Sequence, residues 1–218
     1  MASERKPIIY VVAGPNGGGK SSIGGEIFRR YGGNYFNPDE YAVALKSANP
    51  GLTDFDANSA AWSEGVKRLR NAIDRRQSYA FETTLGGETI CRLLHQAADK
   101  AIELWIWYIA LDSVEKHLAR VRARATRGGH DIPEPLVRQR YDNSRANLAE
   151  LLPKAARLVI YDNSATAAIE KNEPPEPRLI LDYEKGVIKN KKQLKNTPDW
   201  AKPIVAAALE AELARKQR

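Results

Sequence analysis

Thiol chemistry is nearly absent from this chain, because Cys91 is its one cysteine among 218 residues. An internal disulfide is thereby excluded, and no Cys/His grouping has the spacing of a zinc site. Cys91 stands among Ile90, Leu93 and Leu94 and reads as a buried thiol rather than a nucleophile. No apolar run approaches the ~20 residues of a membrane span. The opening segment MASERKP lacks the apolar core of a secretory signal. These absences point to a soluble protein of a reducing compartment, most simply cytoplasmic, with no membrane partner. What is present is apolar content of 43%, enough for one substantial core and little more.

The net charge of +7 is unevenly placed. Residues 116–145 hold eight Lys/Arg against three acids, and residues 185–218 hold nine against three. A basic surface suits nucleic acid, but arginines gathered near a phosphate-binding loop serve the phosphates of a small substrate. The C-terminal lysines read as a solvated face.

The run Gly14-Pro15-Asn16-Gly17-Gly18-Gly19-Lys20-Ser21 follows the apolar stretch Ile8–Ala13 and leads into Ser22–Arg30, which can form a helix. Strand, glycine-rich loop and helix in that order are what a P-loop requires. Glycines let successive N–H groups turn inward onto an anion, and the helix that follows adds its positive dipole end. Lys20 can reach the β- and γ-phosphates of ATP or GTP, and the Ser21 hydroxyl can ligate Mg²⁺.

Further strands are expected at Asn34–Phe36, Ser78–Phe81, Ile102–Leu111 and Leu158–Tyr161. Helices are expected over 54–76, 88–101, 113–126 and 134–152. The alternation favours a parallel sheet covered by helices on both faces, an α/β fold of the P-loop NTPase kind. Trp105 and Trp107 fall within the most hydrophobic of these strands and read as core. Beyond the stiff Glu173–Pro177, residues 178–189 suggest a hairpin and residues 200–215 a last helix.

Ligands of open α/β sheets sit at the carboxyl ends of the strands. By that rule Asp39, Glu82, Asp112 and Asp162, each ending a predicted strand, should face one crevice with the P-loop. Asp39, beside Pro38, suits a general base, or it caps the next helix. Glu82, followed by Thr83 and Thr84, can hold a polyhydroxyl substrate, cap a helix near Gly87, or support Mg²⁺. Asp112 ends an apolar strand as a Walker-B aspartate would, or starts a helix. Arg120, Arg124 and Arg127 share one helical face, and Arg138 and Arg140 follow the Gly128-Gly129-His130 break. An arginine-bearing lid hinged on two glycines suits phosphoryl transfer. His130 is expected to order that lid, whereas His95 and His117 lie in helices and need no special role.

Taken in order, several segments resemble the zeta-toxin family of P-loop kinases, in its compact bacterial branch. They are Ala13–Ser22, Asn37-Pro-Asp-Glu40, Phe81-Glu-Thr-Thr-Leu85, Arg120-Val121, Arg124, Gly128–Glu134, Arg140-Tyr141, Asn147-Leu148 and Asp162-Asn-Ser164, spread over about residues 7–165. The resemblance implies ATP- or GTP-dependent phosphorylation of a sugar hydroxyl, the acceptor of the best-known members being UDP-N-acetylglucosamine. On that mapping Gly14 to Ser22, Arg120 and Asn163 hold the nucleotide, and Ser21 also holds Mg²⁺. Asp39 is the base, and Glu82, Thr83 and His130 meet the acceptor. Arg124 and Arg140 clamp the phosphates with Lys20, although which of the five arginines form the lid pair stays open. A small helical antitoxin blocking the nucleotide site is the implied partner. Residues 1–170 are then the kinase core, with a lid about 120–140, and residues 171–218 a hairpin and helix appended to it. The extended substrate-binding region of the longer toxins has no counterpart in this chain. Two competing readings are a polynucleotide kinase that uses the basic segments, and a regulatory module that hydrolyses ATP slowly.

Overall fold

The structure, a computed structural model, describes residues 6–30, 35–127, 132–165 and 176–217. Six strands form one sheet in the order β2-β1-β3-β4-β5-β6. The first four are β1 (Ile8–Ala13), β2 (Tyr79–Thr83), β3 (Glu103–Ala110) and β4 (Arg157–Asp162). These run parallel, as the strand–helix alternation predicts. Their successors, β5 (Arg178–Glu184) and β6 (Val187–Ile188), pair antiparallel and make the sheet mixed. The helices are α1 (Lys20–Arg30), α2 (Pro38–Ala48), α3 (Asp54–Asp74), α4 (Glu88–Asp99), α5 (Val114–Ala125), α6 (Glu134–Leu151) and α7 (Lys202–Lys216). None of the helices described is long and apolar enough to cross a membrane.

Register explains how one sheet serves two helical layers. Val11, Ile106, Leu158 and Tyr183 align across β1, β3, β4 and β5. All four are buried in the larger core, which also takes side chains from α3, α4, α6 and α7. One residue further along, Val12, Trp107 and Val159 align on the opposite face, where Phe28 of α1 packs with them. Trp105, expected in the core, is only half-buried at the margin of this second face. The period-2 alternation of each strand thus divides its residues between two apolar layers.

The segment 178–217, expected as an appendage, is built into this sheet and core. Ile180, Leu181, Tyr183, Ile188, Trp200, Ile204, Val205 and Ala208 all belong to the larger apolar cluster. The strand expected at Asn34–Phe36 begins outside the described residues. Phe36 forms a single parallel bridge to Phe81, donating its N–H to the Ala80 carbonyl and accepting from the Glu82 N–H, both at 2.9 Å. That bridge sets the start of α2 beside the end of β2. Chain order reverses around β1, which lies between β2 and β3, so the loop after β1 opens at a topological switch point.

Candidate functional site

The loop after β1 folds onto the end of β3. Gly14 has φ of 141°, and a β-carbon there would lie 2.0 Å from the Ile109 carbonyl oxygen, so only glycine fits. The Gly18 carbonyl accepts a hydrogen bond from Asn163 Nδ2 at 3.0 Å, and the Asn163 carbonyl accepts from Arg120 at 2.7 Å. Asn163 therefore braces the loop from behind, outside the set of residues that line the cavity described next. His117, for which the sequence suggested no special role, is fully buried. Its Nε2 accepts from the Leu111 N–H at 3.0 Å, and its Nδ1 lies 2.7 Å from the Asn16 carbonyl. One histidine thus ties the P-loop to the end of β3. No sequence signal marks it, because a helical histidine beside Leu118 reads as ordinary core.

In front of the loop lies a cavity of about 760 Å³. Asn16, Gly17, Gly19, Lys20, Ser21 and Ser22 line one side of it. Lys20 is buried at the first position of α1. Its ammonium donates to the Pro15 carbonyl at 3.2 Å and lies 3.8 Å from Glu82 Oε1. Burial lowers the Lys20 pKa, and the charges of Glu82 and Asp39 oppose that shift. Glu82, 6% exposed, accepts from the Ser21 hydroxyl at 3.2 Å through Oε1, while its buried Oε2 has no hydrogen-bond partner among the described residues. Burial raises the Glu82 pKa despite the nearby Lys20.

Asp39 lines the same cavity. It does not cap α2, because Asn37 does: the Asn37 Oδ1 accepts from the N–H groups of Asp39 (2.9 Å) and Glu40 (3.4 Å). The Asp39 carboxylate is left to accept from Arg124 at 3.1 Å. Arg120, Arg124 and Arg127 of α5 and its C-terminal turn reach the cavity together, as their spacing predicts. Arg140 enters from α6 and donates to Asn16 Oδ1 at 3.0 Å. Arg138 instead pairs with Glu134 and Glu115 at the surface. Five basic side chains (Lys20, Arg120, Arg124, Arg127, Arg140) and two carboxylates (Asp39, Glu82) therefore share one space, an environment suited to a polyanion. Phe36, Trp62, Val66, Ile90, Ile132 and Leu136 add apolar wall.

Two of the four strand-end carboxylates lie elsewhere. Asp112 is exposed and pairs with Lys116, and Ser113 caps α5 in its place. Asp162 accepts from the Ser164 N–H (2.8 Å), Arg178 (3.2 Å) and Trp200 Nε1 (3.4 Å). Its carboxylate is occupied in fastening the C-terminal segment. Glu82 caps no helix either, since α4 starts after Gly87 without a side-chain cap. Thr83 and Thr84 line the cavity, and each hydroxyl accepts a backbone N–H two residues on. The Gly128-Gly129-His130 hinge, and with it the role expected of His130, lies outside the described residues.

Among the described residues there is no cluster of three or more His, Cys, Asp or Glu able to hold a metal ion unaided. The Ser21 hydroxyl beside Glu82, whose Oε2 has no partner among the described residues, nevertheless matches Mg²⁺, a hard cation that takes few protein oxygens and completes its shell with phosphate and water.

No protein-family profile matches the chain. A protein of Haemophilus influenzae, itself uncharacterized, is 32% identical over 139 residues, which span 63% of this chain and 94% of the relative. The chain and that protein belong to one family. Among solved structures, a chain of the AvrRxo1-ORF1:-ORF2 complex with ATP superposes with a TM-score of 0.62 at 17% identity, over 89% of this chain. The match covers 64% of that chain, so this protein spans just under two thirds of its length. A chain of the PezAT chromosomal toxin–antitoxin system of Streptococcus pneumoniae superposes with a TM-score of 0.53 at 14% identity, over 96% of this chain and 86% of that one. This chain shares the fold of those two chains, an α/β fold of the P-loop NTPase kind.

Proposed function

We propose that this protein is an ATP-dependent phosphotransferase that moves the γ-phosphoryl group onto a hydroxyl of a small acceptor, a nucleotide sugar of the UDP-N-acetylglucosamine kind. The observation that carries the reading is the convergence of the P-loop lysine, a carboxylate freed from capping duty, and arginines from two helices on one cavity. A P-loop alone would serve a nucleotide switch equally well. Asp39 and the apolar wall around Trp62 give this cavity room and chemistry for a second substrate.

In this mechanism the P-loop N–H groups and Lys20 hold the β- and γ-phosphates. Asp39 orients the acceptor hydroxyl and takes its proton late in the transfer. A bond forms between the acceptor oxygen and the γ-phosphorus as the bond to the β–γ bridging oxygen breaks, leaving ADP. Arg124 and Arg140 meet the charge that spreads over the equatorial oxygens. Mg²⁺, held by Ser21 with Glu82 in support, would neutralise phosphate charge when bound. Glu82 and Thr83 face the acceptor, and the planar Trp62 offers a surface on which a sugar or base ring can lie. A cognate antitoxin partner is part of the proposal, supported by the PezAT chain that shares the fold. So is a cytoplasmic location, where a reduced Cys91 is stable.

The test is transfer of labelled γ-phosphate from ATP into a panel of nucleotide sugars and RNA, with Lys20→Ala as the inactive control. Label on a nucleotide sugar is the expected result. Label on RNA would make the enzyme a polynucleotide kinase, and free phosphate alone would remove transfer from the proposal.

A further inference from the structure

Leu85 has a left-handed backbone, with φ of 54°, and a fully buried side chain. A β-branching clash does not arise for leucine, but its β-carbon still disfavours that conformation, so its surroundings must impose it. They do so from α6. Asn147 Nδ2 donates to the Leu85 carbonyl at 2.8 Å, and Asn143 Nδ2 reaches the Gly86 carbonyl at 3.4 Å. Gly86 itself lies on Arg140: a β-carbon there would come within 2.9 Å of Arg140 Cγ and 3.3 Å of its Cα. Positions 140, 143 and 147 form one face of the helix, and that face grips the loop between β2 and α4. Arg140 also donates to Asn16 in the P-loop. The same side chain therefore touches both loops, whose residues line the cavity from two sides.

We propose that Asn147 is the positioning residue of the Thr83–Gly87 loop, and that α6 couples this loop to the P-loop through Arg140. Asn147 does not line the cavity and acts through the Leu85 backbone. A nucleotide that engages Arg140 then also fixes the loop that meets the acceptor. The inference rests on the reading above, in which that loop belongs to the acceptor side.

Amide hydrogen exchange over residues 83–87 tests it, in the full chain with and without Mg²⁺ and a non-hydrolysable ATP analogue. Asn147→Asp keeps the size of the side chain and removes its donor. It is expected to speed exchange in this loop about tenfold, the scale of one lost buried hydrogen bond, while exchange in residues 14–19 is unchanged. The analogue should protect the loop in wild type and lose that effect in the variant. With UDP-N-acetylglucosamine as acceptor, the acceptor KM should rise about tenfold, while ATP affinity stays within about twofold. Should Asn147→Asp not fold, Gly86→Ala, which pushes the loop off Arg140, must give the same loss of coupling. Unchanged loop exchange, equal protection by the analogue in both proteins, or a lowered melting temperature with an unaltered KM would overturn the proposal. If wild type transfers nothing to this acceptor, the acceptor assignment falls and the exchange result still decides the coupling.

Discussion

His117 carries a hydrogen-bond pattern that admits one protonation state. Because the Leu111 N–H donates to Nε2, the ring proton sits on Nδ1 and points at the Asn16 carbonyl. A second proton would place a donor against the Leu111 N–H. Burial is the main reason its pKa is pushed down from the ordinary 6.5 to about 4; the bond to Asn16 opposes this, and Lys20, Arg120 and Arg145 reinforce it. Between these values the unfolded chain binds a proton that the folded chain does not, so stability falls as the pH drops from 6.5 to 4. The loss attributable to this residue is expected to reach about 3 kcal/mol. Urea unfolding of wild type and His117→Gln at pH 7, 6, 5 and 4.5 checks this, since glutamine keeps one donor and one acceptor without titrating. A wild-type slope no steeper than the variant's would count against it. At Asp39, replacement by Asn keeps the shape and removes the base. Turnover should drop by about 10²- to 10⁴-fold, with ATP affinity, read by direct binding, nearly unchanged.

Helix α2 shows how an element places a reactive group. Asn37 has extended φ and ψ, Pro38 supplies the fixed φ that the first helical turn accepts, and the Asn37 amide also donates to Glu40 at 3.2 Å. The cap therefore falls one place before the proline, and Asp39 emerges in the first turn with its carboxylate toward Arg124. Asn37→Ala is expected to cost about 1 kcal/mol of stability and to lower turnover more than ATP affinity, because the cap orients the base and touches no phosphate. Thermal unfolding combined with steady-state kinetics on the variant separates the two effects; intact turnover would show that Asp39 needs no cap to stay in place. The motif Asn-Pro-Asp-Glu was legible in sequence, but its capping register was not. In sequence Asp39 suits a base or a cap, and the hydrogen bonds give the cap to Asn37.

At the scale of the molecule, the C-terminal segment is part of the core that supports the site. Trp200 is buried, lies against Tyr108 with ring centroids 6.3 Å apart, and donates to Asp162. Trp200→Ala should therefore destabilise the whole fold by about 3–5 kcal/mol, a large share of the stability of a typical domain. Chemical denaturation followed by far-UV circular dichroism measures this. A change within 1 kcal/mol, on the scale of an ordinary surface substitution, would mean that residues 178–217 stand apart from the core after all. The mixed sheet has the same origin: β5 turns back along β4, and Asp162, at the end of β4, is drawn to Arg178 and Trp200 and away from the cavity.

The sequence by itself determined the P-loop, the parallel pairing expected of strands that alternate with helices, and the common helical face of Arg120, Arg124 and Arg127. Each rests on a local rule: glycine where the backbone must turn against an anion, apolar periodicity, or residues spaced to share one helical face. The tertiary structure alone decided which strand-end carboxylates reach the cavity, because that depends on strand order and on where the next turn leads. It alone brought His117 to the P-loop across a separation of 101 residues and Asn147 to Leu85 across 62. Hydrogen bonds between groups so distant in the chain leave no periodic trace in sequence; they exist only once packing has brought the elements together.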